Sequence, residues 1–254
     1  MLPNHSPLTI AEQFGTLATL HPGRIDLGLG RAPGTDQNTM RALRRDFTAA
    51  ETFPQDVLEL QGYLTDHTRI PQVNAFPGRG TNVPLYILGS SLFGGQLAAA
   101  LGLPFAFASH FAPGALQDAV VNYRKQFQPS EQLSEPYVIA AVNVIAADTD
   151  VEAQAQMLIT RRARVRHLFS RGQGAAPFTD DEADAILQSP QARHVDQMMT
   201  YTAAGTPNVI MAFLDDFVIH ADANELMVVH QTSTIPTRVR SLELLAEVAE
   251  LVPA

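Results

Sequence analysis

The 254-residue chain has no cysteine. That excludes disulfides, thiolate zinc sites and a thiol nucleophile, and leaves the redox compartment open. Basic side chains are scarce: 17 Lys and Arg stand against 26 Asp and Glu, the formal net charge is -9, and 17% of residues are charged. Such a chain is a poor partner for a phosphate backbone, so no nucleic-acid role is expected. No apolar run approaches the roughly 18 residues of a membrane-spanning helix. Residues 1–15, MLPNHSPLTIAEQFG, lack the basic leader and apolar core of a signal peptide. Internal repeats, low-complexity tracts, an interdomain linker and the GxSxG, Walker A and HExxH motifs are also absent. GLGRAPG has its third glycine out of register for a dinucleotide fingerprint. What is there is 46% hydrophobic content, enough for the core of one large domain or two small ones. The expectation is a cytoplasmic globular protein.

Two periodicities alternate along the chain. Ser6-Pro7 opens a helical stretch with Leu8, Phe14, Leu17 and Leu20 near one face, and His21-Pro22-Gly23 stops it. Residues 24–30 read as a short strand, followed by the loop RAPGTDQ and a polar helical stretch over 38–64 broken at Phe53-Pro54. Pro71, Pro77 and Pro84 make 65–84 a loop with at most a weak edge hairpin. Strands are predicted at 85–91 (LYILGSS), 104–111 (PFAFASHF) and 137–147 (YVIAAVNVIAA), with helices at 92–101, 113–127 and 151–169. A loop-rich excursion spans about 172–191. Thr206-Pro207 sets a capping hydroxyl before a first-turn proline and starts a helix to about His220. ANELMVVH (223–230) is the last strand and 237–251 the last helix. Alternation with apolar strands implies a parallel sheet with right-handed crossovers. Counted alone, five strand–helix units favour an open sheet over an eight-stranded barrel.

Arg31 directly follows the first strand, at the strand's C-terminal end, where a guanidinium can grip a phosphate with two hydrogen bonds. A plain surface arginine fits the same position. Gly89-Ser90-Ser91-Leu92-Phe93-Gly94-Gly95 ends one strand and opens a helix. Free amides, the positive dipole end and small hydroxyls there make an anion cradle, although serine is also the commonest helix cap. Ala108, Ser109 and His110 end the next strand, and His110 is open to acid–base, ring-contact or purely structural roles. His5 and Asn4 sit at the helix entry and are candidates for a pocket mouth. RRARVRH (161–167) lies on a helix near Glu152 and the acidic 180–184 segment, and reads as a solvated face. Asp215, Asp216, Asp222 and Glu225 fit no metal-loop spacing, so no metal site is expected.

The block LPNHSPLTIAEQFGTLATLHPGRIDLGLGRAPGTD resembles the luciferase-like, flavin-dependent monooxygenase family. VPLYILGSSLFGGQLAAALGLPFAFASHF, the AAGTP helix start at 203–207 and DANELMVV agree with it in order, so the resemblance runs over nearly the whole chain. It implies a TIM (β/α)8 barrel of the luciferase-like type. The barrel is expected to be incomplete, residues 1–254 forming a single partial domain whose first two to three strands are missing; at about 30 residues per unit, on the order of eighty residues are absent. The missing part is where the family carries a Glu-His-His stretch and a non-prolyl cis peptide around the flavin ring. No catalytic residue is therefore assigned.

The resemblance carries flavin-phosphate binding to Arg31 and to the loop with Gly89, Ser90, Ser91 and Gly94, the last standing where luciferase itself has a threonine. It places Ala108 and Ser109, where luciferase proper has Ser-Trp, along the flavin ring, with His5 and His110 as substrate-pocket candidates. Reduced FMN, supplied by a separate flavin reductase, would react with O2 to oxygenate a small organic substrate; a homodimer is common in the family. Three alternatives stand: a deazaflavin (F420)-dependent dehydrogenase, a non-catalytic flavin-binding or inactive fragment, and a phosphate-ester-binding barrel unrelated to flavin.

Overall fold

A computed structural model describes residues 1–32, 34–45, 47–169 and 176–250. The chain forms two compact units and passes between them three times: 1–106 with 119–137, and 107–118 with 138–254. The first unit opens with a 3-10 turn, Leu2–Asn4, and helix α1 (Pro7–Leu20). Ser6 caps α1 by accepting from the Thr9 amide, with Pro7 in the first turn, as the sequence signals. The buried face is not the predicted one. Ile10, Ala11 and Gly15 are buried, whereas Leu17 and Leu20 are exposed. The reason is close backbone packing: a Cβ on Gly15 would stand 2.2 Å from the Gly78 Cα, and one on Gly78 would stand 2.5 Å from the Ala11 carbonyl oxygen. Small residues, not large ones, make this contact.

Strand β1 (Leu27–Gly30) is shorter than expected, with Leu27 and Leu29 buried. Helix α2 (Gln37–Ala42) starts at Asp36, whose carboxylate accepts from the Asn38 and Thr39 amides and is held below the usual range chiefly by the Thr39 hydroxyl. A 3-10 turn at Phe47–Ala50 precedes α3 (Phe53–Leu64); the polar stretch thus breaks earlier than expected, after Ala42, and Phe53-Pro54 opens a helix, proline being tolerated in the first turn. No strand forms in 65–84. Strand β2 (Leu85–Gly89) pairs parallel with β1, Gly30 opposite Leu88. Helix α4 (Leu92–Leu101) ends at Gly102 in the left-handed region, φ 63°, as a C-terminal glycine should. Strand β3 (Phe105–Phe107) and helix α5 (Leu116–Gln126), the latter preceded by a 3-10 turn at Pro113–Ala115, complete this stretch.

In the second unit β4 (Val138–Ala146) is buried along its whole length, as its two-sided apolar run predicts. Helix α6 (Asp150–Leu168) is capped by Thr149. The expected loop excursion instead holds two helices, α7 (Asp180–Leu187), with a Thr179/Glu182 capping box, and α8 (Ala192–Met198). Its 172–175 portion lies outside the described residues. Strand β5 (Thr202–Gly205), not anticipated, pairs parallel with the upper half of β4. It is too short and too alanine-rich to signal itself. Helix α9 (Pro207–His220) begins where expected, but the Thr206 hydroxyl makes no cap; the Thr206 amide donates to the Asp150 carboxylate instead. Strand β6 (Glu225–His230) pairs parallel with β4, with Met227 exposed, so it is not a two-sided core strand. Helix α10 (Ile235–Val248) starts in a Thr234/Thr237 capping box; its expected end at Leu251 lies outside the described residues. The described strands number six, one more than the sequence reading counts.

The run at 161–167 is also not a bare solvated face. Arg162 grips Asp184 through Nε (2.7 Å) and Nη2 (2.5 Å), and reaches Asp180 through Nη1 (2.8 Å). Arg166 pairs with Asp180, and Arg161 with Asp196 at 2.6 Å. These pairs surround a small core in which Val165, Ala183 and Val195 are buried among Phe169, Phe178 and Ile186. The basic run docks α7 and α8 onto α6.

Candidate functional site

The β1–β2 register brings the ends of two neighbouring strands together, Arg31 following one and Ser90 the other. The Arg31 guanidinium lies over the Phe93 ring, Cζ 4.0 Å from its centroid. Among the described residues it makes no ion pair or hydrogen bond. Ser90 and Ser91 are exposed, and their hydroxyls take no partner among the described residues. Ser91 is the N-cap residue of α4 in position but not in bonding, since its side chain makes no cap hydrogen bond. The first-turn amides of α4 are therefore left without a side-chain cap, at the positive end of the helix dipole.

The glycines of this turn set its geometry. A Cβ on Gly94 would come within 3.1 Å of the Phe105 ring and 3.3 Å of the Gly89 Cα; one on Gly95 would meet the Ala119 carbonyl at 3.1 Å. A side chain at Gly94 would need Phe105 or Gly89 to give by a few tenths of an ångström, so glycine suits the close approach of α4 to the end of β2. Tyr123 braces the far side. It is fully buried, its ring 5.5 Å from that of Phe105, and its hydroxyl donates to the Leu103 carbonyl and accepts from the Tyr137 amide. Burial pushes its ionisation up to about 12, so it stays neutral.

The second unit places Ala108, Ser109 and His110 differently. Ser109 is fully buried and its hydroxyl donates to the Ala141 carbonyl of β4 at 2.5 Å. That side chain ties the strand end in place, and its hydroxyl donor is spent inside the protein. Ala108 is half-buried. The His110 carbonyl accepts from Asn143 Nδ2 at 2.6 Å, and the same amide reaches Thr202 Oγ1 at 3.2 Å. His110 Nδ1 and Asn143 Oδ1 are both buried without a partner among the described residues. Burial, then the nearby Arg164 charge, hold the His110 imidazole below its ordinary range, so it is neutral at neutral pH. Asn143 escaped the sequence reading, yet it is the one polar side chain inside YVIAAVNVIAA, and that isolation was the available signal.

A second histidine, His230, bonds through Nδ1 to the buried Ser241 hydroxyl at 2.7 Å, and Ser241 also accepts from the Ala146 amide of β4. His5 is exposed in the first unit, its amide donating to the Leu2 carbonyl. Among the described residues no group of three or more His, Asp or Glu side chains could hold a metal ion. No helix there is long and apolar enough to cross a membrane.

Residues 1–219 match the family model described as luciferase-like monooxygenase. The chain belongs to the luciferase-like monooxygenase family. It is 45% identical over 249 residues to the uncharacterised protein YvbT of Bacillus subtilis, covering 98% of this chain and 74% of that one. It is 44% identical over 252 residues to a protein named luciferase-like monooxygenase in Escherichia coli K12, covering 98% of this chain and 75% of that one. The solved structure of apo-MsnO8 superposes with a TM-score of 0.84 at 32% identity, covering all of this chain and 76% of that one. The α/β fold with parallel strands is that of luciferase-like TIM-barrel proteins. At fold level alone it is shared by an F420-dependent tetrahydromethanopterin reductase (TM-score 0.63, 15% identity, 96% of this chain and 78% of that one). It is likewise shared by the FMN complex of a type II Baeyer–Villiger monooxygenase component (0.62, 14%, 100% and 78%).

Proposed function

We propose that this luciferase-like protein binds reduced FMN through the phosphate and serves a monooxygenase that uses O2 on a small organic substrate. One observation carries the reading: among the described residues the Arg31 guanidinium has no counter-ion, and it is held against the N-terminus of α4, which lacks a side-chain cap. A cation beside the positive end of a helix is unfavourable unless an anion joins them. A phosphate dianion satisfies the guanidinium, the free amides and the Ser90 and Ser91 hydroxyls together. The residues fit the group.

Bound flavin supplies the redox chemistry, and the protein's part is anchoring and orientation. Arg31 and the amide turn hold the phosphate. Gly94 admits the close packing of that turn against Gly89 and Phe105. The neutral His110 imidazole, its Nδ1 unengaged, offers a hydrogen bond rather than a charge to whatever faces it. A separate reductase as the source of reduced flavin, and a homodimer, belong to the same proposal.

Titration of the chain with FMN and with riboflavin, followed by flavin fluorescence, tests the anchor. Tight FMN binding with much weaker riboflavin binding supports it; equal affinities sink it. Oxygen consumption with reduced FMN, against hydride transfer with F420, separates a monooxygenase from a deazaflavin dehydrogenase. A folded chain that leaves flavin fluorescence unchanged removes the enzyme reading altogether.

A further inference from the structure

We infer that Phe93 is the positioning residue for the Arg31 guanidinium, holding it by its ring face where the phosphate is to be gripped. The inference rests on the FMN reading above and goes beyond it by naming what aims the cation. An exposed arginine side chain samples many rotamers, and fixing it on binding costs conformational entropy. Here the guanidinium is already parked, Cζ 4.0 Å from the ring centroid, with no carboxylate among the described residues to hold it. The negative face of an aromatic ring attracts a cation without neutralising it. A carboxylate at the same place would hold Arg31 equally well but would compete with the phosphate.

The platform under the ring is closely packed. Phe93 is the second residue of α4, and the next two residues are glycines pressed against Gly89, Phe105 and the Ala119 carbonyl. This close packing holds the first turn of α4, from which Phe93 projects, against the end of β2. Gly94 brings no hydroxyl to the turn, and the pre-aimed guanidinium takes on more of the phosphate's recognition as a result.

The test uses the whole chain with three substitutions, Phe93→Leu, Phe93→Tyr and Arg31→Ala. In the free protein the Arg31 Hε resonance should be shifted upfield by the ring, keep that shift in Phe93→Tyr and lose it in Phe93→Leu. Phe93→Leu should bind FMN about 2- to 5-fold more weakly, the loss of one exposed cation–π contact. Riboflavin affinity should stay unchanged, and Phe93→Tyr should retain FMN binding. If Phe93→Leu weakens both ligands alike, or neither, Phe93 is only a structural residue and the inference falls. In that case Arg31→Ala still reports on the phosphate reading: a loss confined to FMN keeps it standing alone. If Arg31→Ala shows no such selectivity, both fall together.

Discussion

Arg31 and Arg162 are the same side chain in opposite circumstances. Arg162 in the second unit spends its donors on Asp184 and Asp180, and with Arg161 and Arg166 it fastens α7 and α8 to α6. Arg31 in the first unit has a ring to lie on and, among the described residues, no anion. The serines divide the same way: Ser109 is buried and bonded to β4, whereas Ser90 and Ser91 are exposed and, among the described residues, unbonded. A polar group whose bonds are all made inside the protein maintains shape. One left exposed beside others of matching polarity is available to a ligand.

The sharpest way to break this contrast is Arg31→Ala. Loss of a charge-assisted contact worth roughly 1.5–3 kcal/mol should weaken FMN by about 10- to 150-fold and leave riboflavin unchanged, as read by fluorescence titration. Equal losses would make Arg31 as structural as Arg162. Ser109→Ala should cost about 1–3 kcal/mol in urea unfolding, because the Ala141 carbonyl loses its buried donor. The double change Ser90→Ala, Ser91→Ala should do the reverse, leaving the urea midpoint in place and weakening FMN by about 2- to 12-fold.

Smaller effects are expected from the two histidines of the second unit. His110 and His230 are held below their ordinary value of 6.5, by burial first and then by Arg164 and Arg238 respectively. Their folded forms resist protonation while the unfolded chain takes up protons near the ordinary value. The stability they contribute is full above about pH 6.5 and is lost as pH falls through their lower folded values. His230→Asn should flatten the fall in melting temperature on the acid side; an unchanged slope would show that other groups carry it. Least is expected of Arg162→Ala. Amide exchange in Asp180–Leu187 should quicken, by less at high salt where the pairs of the native protein are already screened, with FMN affinity unaffected.

The sequence by itself determined the elements that local chemistry enforces. Ser6-Pro7 and Gly102 bounded their helices, the continuous apolar run made β4 a fully buried strand, and the long first block identified the family. It also placed Arg31 and the Gly89–Gly95 turn at neighbouring strand ends, since both follow directly from strand–helix order.

Tertiary structure alone decided which polar groups are engaged. Nothing in RRARVRH names its aspartate partners, which lie 14 to 35 residues away. The sequence of α1 does not announce that Gly15 rather than Leu17 faces inward, because the deciding surface is the backbone of Gly78. Periodicity records where apolar side chains recur along one element. Whether a hydroxyl, a guanidinium or a glycine is occupied depends on what another part of the chain brings against it, and that is fixed only when the chain is folded.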